Sequence, residues 1–154
     1  IIYNISTLIS QVSREEDEVR FSYKLKQVQH ALRLQMDEVL RPLGLTTPQY
    51  MVLAQLEVKP GISNAALARA AFITAQTMHS IVSLLEKNKL IKRKADPKHG
   101  RVLCTELTKS GHKLVKEAHT VIANVEQMMT RTLSPKNKAL LEQLLLSCMN
   151  NLTN

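Results

Sequence analysis

The sequence contains no tryptophan and only two phenylalanines and three tyrosines in 154 residues. Proteins that bind single-stranded nucleic acid stack bases on aromatic side chains, and this chain has too few of them for that mode of binding. The core must therefore consist of aliphatic residues and methionine, which the hydrophobic fraction of 44% allows. Glycine occurs only four times, and neither a glycine-rich phosphate loop nor a nucleophile elbow is present.

The sequence is also poor in cysteine and in long apolar runs. Its two cysteines, Cys104 and Cys148, are too few for a disulfide framework and suit the reducing cytoplasm. We expect both to be small core residues and not redox sensors. No apolar run approaches ~18 residues, so no membrane-spanning helix is predicted.

Metal-binding and catalytic motifs are missing as well. His112 and His119 lie seven residues apart, whereas a zinc site on one helix uses ligands at i and i+4 together with a third ligand. His30 would have to come from elsewhere in the chain, and ordinary exposed or half-buried histidines are the expectation. We therefore expect one domain without metal, cofactor or enzymatic activity.

The sequence does contain a concentration of positive charge. Seven Lys or Arg and one acid, Asp96, fall between residues 87 and 101, whereas residues 1–86 hold eight basic and eight acidic residues. This window carries +6 of the formal net charge of +8. Charge confined to one segment is an electrostatic footprint for a polyanion, of which nucleic acid is the first candidate.

Apolar periodicity predicts helices over most of the chain. Residues 5–12 fit a short helix, and a second helix is predicted from the acidic run Glu15–Glu18 to just before Pro42. Thr47 is the predicted N-cap of the next helix, with Pro48 at its first position.

Two short helices then form a candidate helix-turn-helix. Ser63 can cap the first and Thr74 the second, whose apolar positions are Met78, Ile81, Val82 and Leu85. The pattern alone fits any helical hairpin equally well. Two predicted strands joined by the basic turn follow at once, over Leu90–Thr108, and this combination predicts a winged helix-turn-helix.

Two more helices, capped by Thr108 and Ser134, complete the chain. Their apolar stripes have little of their own domain to cover, which predicts burial in a symmetric homodimer. The predicted fold is mainly α with a small β-hairpin, in three parts. Residues 1–44 and 108–154 supply dimerisation helices, and residues 45–107 form the winged helix-turn-helix DNA-binding domain.

A series of short motifs runs through the chain in a fixed order: Gly44–Tyr50, Leu67-Ala68, Leu85-Glu86, and above all Asp96-Pro97, Gly100-Arg101, Leu107-Thr108 and Gly111. In these motifs the sequence resembles the MarR family of bacterial winged-helix transcription regulators. The resemblance implies a homodimer on an inverted-repeat site, with a helix in each major groove and a wing at each minor groove. It also implies a repressor released by a small phenolic or lipophilic ligand, by oxidation or by a metal.

The helix capped by Thr74 carries the candidate base contacts. Its apolar positions must face inward, which turns uncharged polar side chains outward. No Lys, Arg, Asp or Glu occurs between Ala70 and Leu85, which is unusual for a face that meets only water. Because amides and hydroxyls read base edges, we expect DNA contacts here, with a solvated polar face as the alternative. The candidates are Thr74, Gln76, Thr77, His79, Ser80 and Ser83.

The wing carries a second set of candidate contacts. The resemblance implies that Arg101 enters the minor groove, where a narrow A·T-rich groove attracts guanidinium; a surface pair with Asp96 is the alternative, and the two are compatible. His99 stands where many relatives have an acid, and is either a partly protonated phosphate contact or a plain exposed histidine. Three further residues are interpreted as phosphate contacts that add affinity without sequence information: Arg93, Lys94 and Lys98.

Two further expectations concern a helix end and an effector pocket. The family usually places glycine where Lys89 stands, and Asn88 is expected to take the left-handed conformation instead. A pocket is expected between the dimer helices and the winged domain. By analogy with the family, Tyr23, His30 and Tyr50 are its candidate polar linings, and ordinary core or interface positions are an equally good interpretation.

The sequence thus predicts a cytoplasmic, sequence-specific, homodimeric repressor that binds double-stranded DNA and is released by a small molecule. One alternative is an architectural or non-specific DNA-binding protein without a ligand response. Another is a protein-interaction module with the same fold. The uncharged, hydrogen-bonding helix face favours specific reading, because a non-specific coat has no need for it.

Overall fold

The computed structural model describes residues 5–71, 73–95 and 103–153, of which residues 5–20 are described by their backbone alone. These residues form a mainly helical fold with one small sheet. The elements, in chain order, are α1 (Ile5–Leu40), a 3-10 turn (Arg41–Leu43), α2 (Thr47–Val58), β1 (Ile62–Ser63), α3 (Asn64–Ala70), α4 (Ala75–Lys87), β2 (Ile91–Ala95), β3 (Leu103–Leu107), α5 (Lys109–Thr130) and α6 (Pro135–Thr153).

The N-terminal region is one continuous helix, and the predicted division into two helices is wrong. The run Glu15–Glu18 lies within α1 and does not begin a new helix. The sequence from Ile5 to Leu40 contains neither proline nor glycine, so no residue interrupts the i→i−4 hydrogen bonds. The helix ends where predicted, because Pro42 follows in the 3-10 turn and Gly44 adopts a left-handed φ of 69°.

Helix α2 begins one residue earlier than predicted. Its N-cap is Thr46, whose hydroxyl accepts from the Gln49 backbone N–H while the Gln49 side chain accepts from the Thr46 N–H. This capping box needs a Thr and a Gln three residues apart, and only Thr46 has that spacing here. Thr47 instead donates from its backbone N (2.9 Å) and its hydroxyl (2.6 Å) to Asp37 Oδ1 on α1.

One hydrophobic core joins the end of α1, the helices α2 to α5 and the sheet. Its fully buried aliphatic side chains include Leu40, Val52, Leu53, Leu67, Met78, Val82, Leu85 and Val115. The predicted Ser63, Thr74 and Thr108 N-caps are confirmed, each accepting from a backbone N–H three residues on. Local capping chemistry therefore fixes where the helices around the core begin.

The predicted hairpin is confirmed, and a third strand extends it. Strands β2 and β3 are antiparallel, with Ile91 opposite Leu107 and Ala95 opposite Leu103. The two-residue strand β1 pairs with the other edge of β3, through Ile62 and Thr105, to give the order β1-β3-β2. The sheet thereby connects the start of α3 to the hairpin that follows α4.

Helix α6 and the described part of α1 are much less buried than the elements around the core. Helix α5 buries Ala118, Ile122 and Val125, whereas every described residue of α6 is exposed. Exposed apolar side chains occur on α6 and on the described part of α1: Phe21, Leu25, Val28, Leu34, Leu140, Leu141, Leu144, Leu145, Leu146 and Leu152. Within the described residues, no helix combines the length and apolarity that a membrane span requires.

Candidate nucleic-acid interface

Helix α4 has the two faces that the sequence predicts. Met78, Val82 and Leu85 are buried and Ile81 is half-buried. The polar side chains on the other side are exposed at Gln76, Thr77, His79 and Ser80 and half-buried at Ser83. The first turns of α4 therefore present amide, imidazole and hydroxyl groups to the exterior, without a charged side chain among them.

The N-terminal end of α4 is fixed by threonine hydroxyls. Thr74 Oγ1 accepts from the Thr77 backbone N–H at 3.1 Å and lies 2.9 Å from the Thr77 hydroxyl. In the turn before it, the Ile73 N–H donates to the carbonyl of Ala68 on α3. Thr74 is thus both the N-cap of α4 and a candidate DNA contact. The cap fixes the first turn of the helix, where the side chains of Gln76 and Thr77 are exposed.

The C-terminal end of α4 corrects the expectation for Asn88. Asn88 has φ −79° and remains near helical geometry, and its N–H donates to Leu84. Lys89 itself takes the left-handed conformation, with φ 58°, and is the only non-glycine residue with a positive φ among the described residues. The geometry at this helix end is the one that glycine adopts without steric cost, although the chain has lysine there.

An ion pair joins the end of α4 to the sheet. Arg93 on β2 donates from Nε to Glu86 Oε2 at 2.8 Å, and its Nη2 also contacts that oxygen. The two side chains are 23% and 35% exposed. The hydrogen bond from Arg93 holds the pKa of Glu86 below its ordinary value and raises that of Arg93. Arg93, predicted as a phosphate contact, therefore has its guanidinium directed to a carboxylate of its own chain.

A second carboxylate lies on the outer face of the hairpin. We call β2 and β3 the wing stem. Glu106 Oε2 is 3.4 Å from Lys92 Nζ and 3.4 Å from Lys94 Nζ. Lys92 is directly opposite Glu106 in the register, and Lys94, two residues along the same strand, shares its face. The lysines lower the pKa of Glu106, Lys92 through its hydrogen bond being the largest cause.

The turn between the strands lies outside the described residues. The predicted contacts Lys98, His99 and Arg101, and the alternative pair of Arg101 with Asp96, all fall there. The net charge of residues 87–101 leaves out Glu86 and Glu106, the acids on either side of that segment. Glu86 and Glu106 form ion pairs with basic residues of the segment. These pairs depend on the packing of the helix and the strands, which a count of charges along the sequence does not include.

A close contact behind the wing accounts for Gly111. A Cβ on this residue would stand 2.0 Å from the carbonyl oxygen of Leu90. That carbonyl also accepts from the Thr108 N–H and hydroxyl, so the residue before β2, the Thr108 cap and α5 meet at one point. Only glycine allows the backbone of α5 to approach this closely, and the wing stem is thereby fixed to α5.

Of the three candidate effector-binding residues, only Tyr50 is buried. Tyr23 and His30 lie on exposed parts of α1, and no side-chain hydrogen bond in the described part of the chain links either of them to Tyr50. The Tyr50 hydroxyl is 2.9 Å from His119 Nδ1, and His119 Nε2 is 2.8 Å from Glu57 Oε2. Burial, with smaller contributions from Glu126 and Glu57, raises the pKa of Tyr50.

Sequence reasoning missed this Tyr50–His119–Glu57 chain. The sequence pairs His119 only with His112, whereas in the structure His119 is hydrogen-bonded to Tyr50 and Glu57 on α2, 69 and 62 positions earlier in the chain. No local spacing connects such positions, so only the packing of α2 on α5 identifies them. His112 is exposed, and no group of three potential metal ligands occurs among the described residues.

An apolar cavity of about 250 Å³ lies between α1 and α5. Gln35 is its single polar side chain, and none of the three candidate effector-binding residues lines it. The rest of the lining is apolar: Val28, Ala31, Leu32, Val125, Met128 and Met129. A cavity of this composition suits a lipophilic molecule, the ring of an aromatic compound or an apolar side chain better than an inorganic ion.

The cysteines occupy different surroundings. Cys104 is half-buried in β3, whereas Cys148 is exposed on α6, so the expectation that Cys148 is a core residue is wrong within the single chain. The apolar stripe of α6 is uncovered in the part of the chain that the structure describes, since every residue of this helix is exposed.

Comparisons with known proteins agree with this architecture. A model of the MarR family matches residues 43–102, which run from the turn after α1 into the wing. The HTH-type transcriptional repressor Rv2887 of Mycobacterium tuberculosis is 35% identical over 132 residues, covering 83% of this chain and 95% of the repressor.

Solved structures give the same result. The crystal structure of Rv2887 in complex with salicylic acid superposes with a TM-score of 0.69 at 32% identity, covering 82% of this chain and 94% of that one. The transcriptional repressor CouR bound to a 23-mer DNA duplex gives 0.77 at 25% identity, with coverage of 83% and 91%. The chain therefore belongs to the MarR family of winged helix-turn-helix transcription regulators.

Proposed function

We propose that this protein is a homodimeric, sequence-specific DNA-binding repressor whose binding is relieved by a small phenolic or lipophilic molecule. The observation that carries the proposal is the exposed face of α4, which is polar, uncharged and set beside a basic wing. Amides and hydroxyls discriminate bases in the major groove, whereas lysine and arginine on a hairpin supply charge that does not depend on sequence. The relatives named as repressors, and one solved on a DNA duplex, support the same assignment.

Roles within the site follow from position. Gln76, Thr77, His79, Ser80 and Ser83 are the proposed contacts in the major groove, with Thr74 at the start of the helix. Lys98, His99 and Arg101 are proposed for the backbone and minor groove at the wing turn. Lys94 remains a candidate phosphate contact, and Arg93 a weaker one, because its guanidinium is already paired with Glu86.

The homodimer is proposed from the uncovered apolar helices. A single chain leaves α6 wholly exposed, with several leucines among its exposed residues. Contiguous apolar surface of this kind marks an interaction site in soluble proteins. A two-fold dimer places two α4 helices one turn of DNA apart, which requires an inverted-repeat site.

The effector is proposed to bind where α1, α2 and α5 meet. The α1–α5 cavity supplies apolar walls, and Tyr50 on α2, which lies outside the cavity lining, has its hydroxyl hydrogen-bonded to His119 on α5. Rv2887, which was solved with salicylic acid, motivates a phenolic acid as the first probe. Release of bound DNA by salicylate would support this part of the proposal.

Selection of genomic fragments at near-physiological salt tests the function. One enriched inverted repeat, with half-sites about ten base pairs apart, is expected. Uniform retention of all fragments, lost steeply with salt, would instead indicate a non-specific DNA coat. No binding to any duplex at low salt would favour a protein-interaction module.

Gln76→Ala tests the reading face of α4. We expect the selected motif to lose its preference at one symmetric pair of positions, with a cost on the order of 1–3 kcal/mol for each bidentate contact. Glu117→Ala, at an exposed position on α5, is the control and should leave the motif intact. An unchanged motif for Gln76→Ala would exclude this residue from base reading.

A further inference from the structure

The wing stem carries less free positive charge than its sequence indicates. Its three basic residues, Lys92, Arg93 and Lys94, each lie within 4 Å of a carboxylate. On the inner face, Glu86 neutralises Arg93 in a half-buried pair. On the outer face, one carboxylate, Glu106, serves two lysines. Three positive and two negative charges leave a net charge of +1 on this cluster.

Glu106 lies beside the two most exposed basic residues of the wing stem. It occupies the same face of the sheet as Lys92 and Lys94, and those side chains are 48% and 60% exposed. A phosphate that approached either ammonium group would also approach the Glu106 carboxylate, which is 35% exposed. Exposed pairs of this kind are weak and exchangeable, but the negative charge remains beside the lysines even when a pair opens.

We propose that Glu106 is a specificity-determining residue, which limits charge-driven DNA binding by the wing stem so that binding depends on α4 and the wing turn. This inference rests on the proposed function. In a non-specific complex, affinity comes from phosphate contacts, and any free cation on the protein can contribute. In a specific complex, α4 fixes the docking geometry, so a cation on the stem adds less.

The test compares Glu106→Gln with the full-length wild-type protein on the selected inverted repeat and on a scrambled duplex of the same length. The variant keeps the shape of the side chain and raises the cluster from +1 to +2. On scrambled DNA we expect the slope of log affinity against log salt to steepen by about 0.9, and affinity near 0.15 M salt to rise about fivefold. The ratio of specific to non-specific affinity should fall.

Two further variants separate local from global effects. Glu117→Gln makes the same change in net charge at an exposed position on α5, and should leave slope and ratio unchanged. The double variant Glu106→Gln/Lys94→Gln returns the cluster to +1 and should restore the wild-type slope. Thermal melts of each variant establish that the fold is intact.

The outcomes distinguish this inference from the proposed function. If the wild type selects an inverted repeat but Glu106→Gln leaves slope and ratio unchanged, the role of Glu106 is wrong and the repressor assignment stands. An equal effect of Glu117→Gln would also overturn it, because net charge would then be the cause. If the wild type selects no motif, the proposed function fails and this inference fails with it.

Discussion

Lys89 holds a backbone conformation that lysine does not favour. Its φ of 58° follows the last turn of α4, where its N–H donates to Glu86 and its carbonyl accepts from the Thr108 hydroxyl at 2.7 Å. A side chain with a Cβ in the left-handed region costs roughly 1–2 kcal/mol, which glycine avoids. The hydrogen bonds on both sides keep the residue in place despite this cost.

Replacing Lys89 with glycine is therefore expected to stabilise the protein. Part of the gain is offset because glycine makes the unfolded chain more flexible, so we expect a net increase of about 0.5–1 kcal/mol in the free energy of unfolding. Urea denaturation measures it. Lys89→Ala removes the same charge but keeps the Cβ, and should remain close to the wild type; an equal gain in both variants would assign the effect to charge.

At this scale the sequence identifies residues whose chemistry is local and misses those whose partners are distant. The inward and outward faces of α4 follow from spacing alone, and the structure confirms them. The sequence shows lysine at position 89 where the family has glycine, but it favours Asn88 for the left-handed conformation, because asparagine tolerates that region best after glycine. The roles of Glu57, Glu86 and Glu106 depend on contacts between elements, which no pattern along the chain contains.

The start of α2 depends on an acid from another helix. Asp37 on α1 accepts from both the backbone N–H and the hydroxyl of Thr47, and these hydrogen bonds, led by the hydroxyl, lower the pKa of Asp37. A carboxylate whose pKa is lower in the folded state stabilises the fold above its unfolded pKa, near 4. That contribution is lost as the pH falls through the folded value.

Asp37→Asn should remove this pH-dependent contribution. We expect the free energy of unfolding at pH 7 to fall by about 1 kcal/mol. Larger losses are not expected, because the Asp37 side chain is 37% exposed and solvent partly screens its charge. The difference from the wild type should shrink as the pH falls below 4. Denaturation at several pH values measures it, with the adjacent exposed Glu38→Gln as control. A difference that stays constant with pH would show that the charge of Asp37 is not responsible.

Element boundaries are predictable where capping chemistry is local. The caps at Ser63, Thr74 and Thr108 lie three residues from the N–H groups they satisfy, and all three are confirmed. Strand β1 was not predicted because it has two residues and its partner, β3, lies some forty residues later. The continuity of α1 was missed because an acidic run suits a helix start but does not require one.

In the whole molecule, the distribution of exposed apolar side chains separates two regions. The residues from the end of α1 to Ile122 on α5 enclose a core, whereas α6 has no buried residue. An amphipathic helix gains most of its stability from packing its apolar face. Among the described residues nothing covers the apolar side chains of α6, and this exposed surface is the basis for the proposed dimer.

Leu144→Glu tests that dimer at the centre of the α6 stripe. Leu144 is 55% exposed in the single chain, so the substitution should leave the fold of each chain intact. Burying an unpaired carboxylate in an apolar interface costs several kcal/mol, and the dimer dissociation constant should rise at least about a hundredfold. Sedimentation at micromolar concentration should show monomers, and binding to the inverted repeat should weaken because the two α4 helices are no longer linked.

Gln143→Glu is the matched control, since it adds the same charge one residue away on the more polar side of α6. It should sediment as the wild type does and keep its affinity for the inverted repeat. A Leu144→Glu protein that remained dimeric would place the interface elsewhere, with the exposed apolar side chains of α1 as the next surface to test. A monomeric variant that still bound the full inverted repeat with wild-type affinity would show that operator binding does not need the dimer, because each α4 would then read its half-site alone.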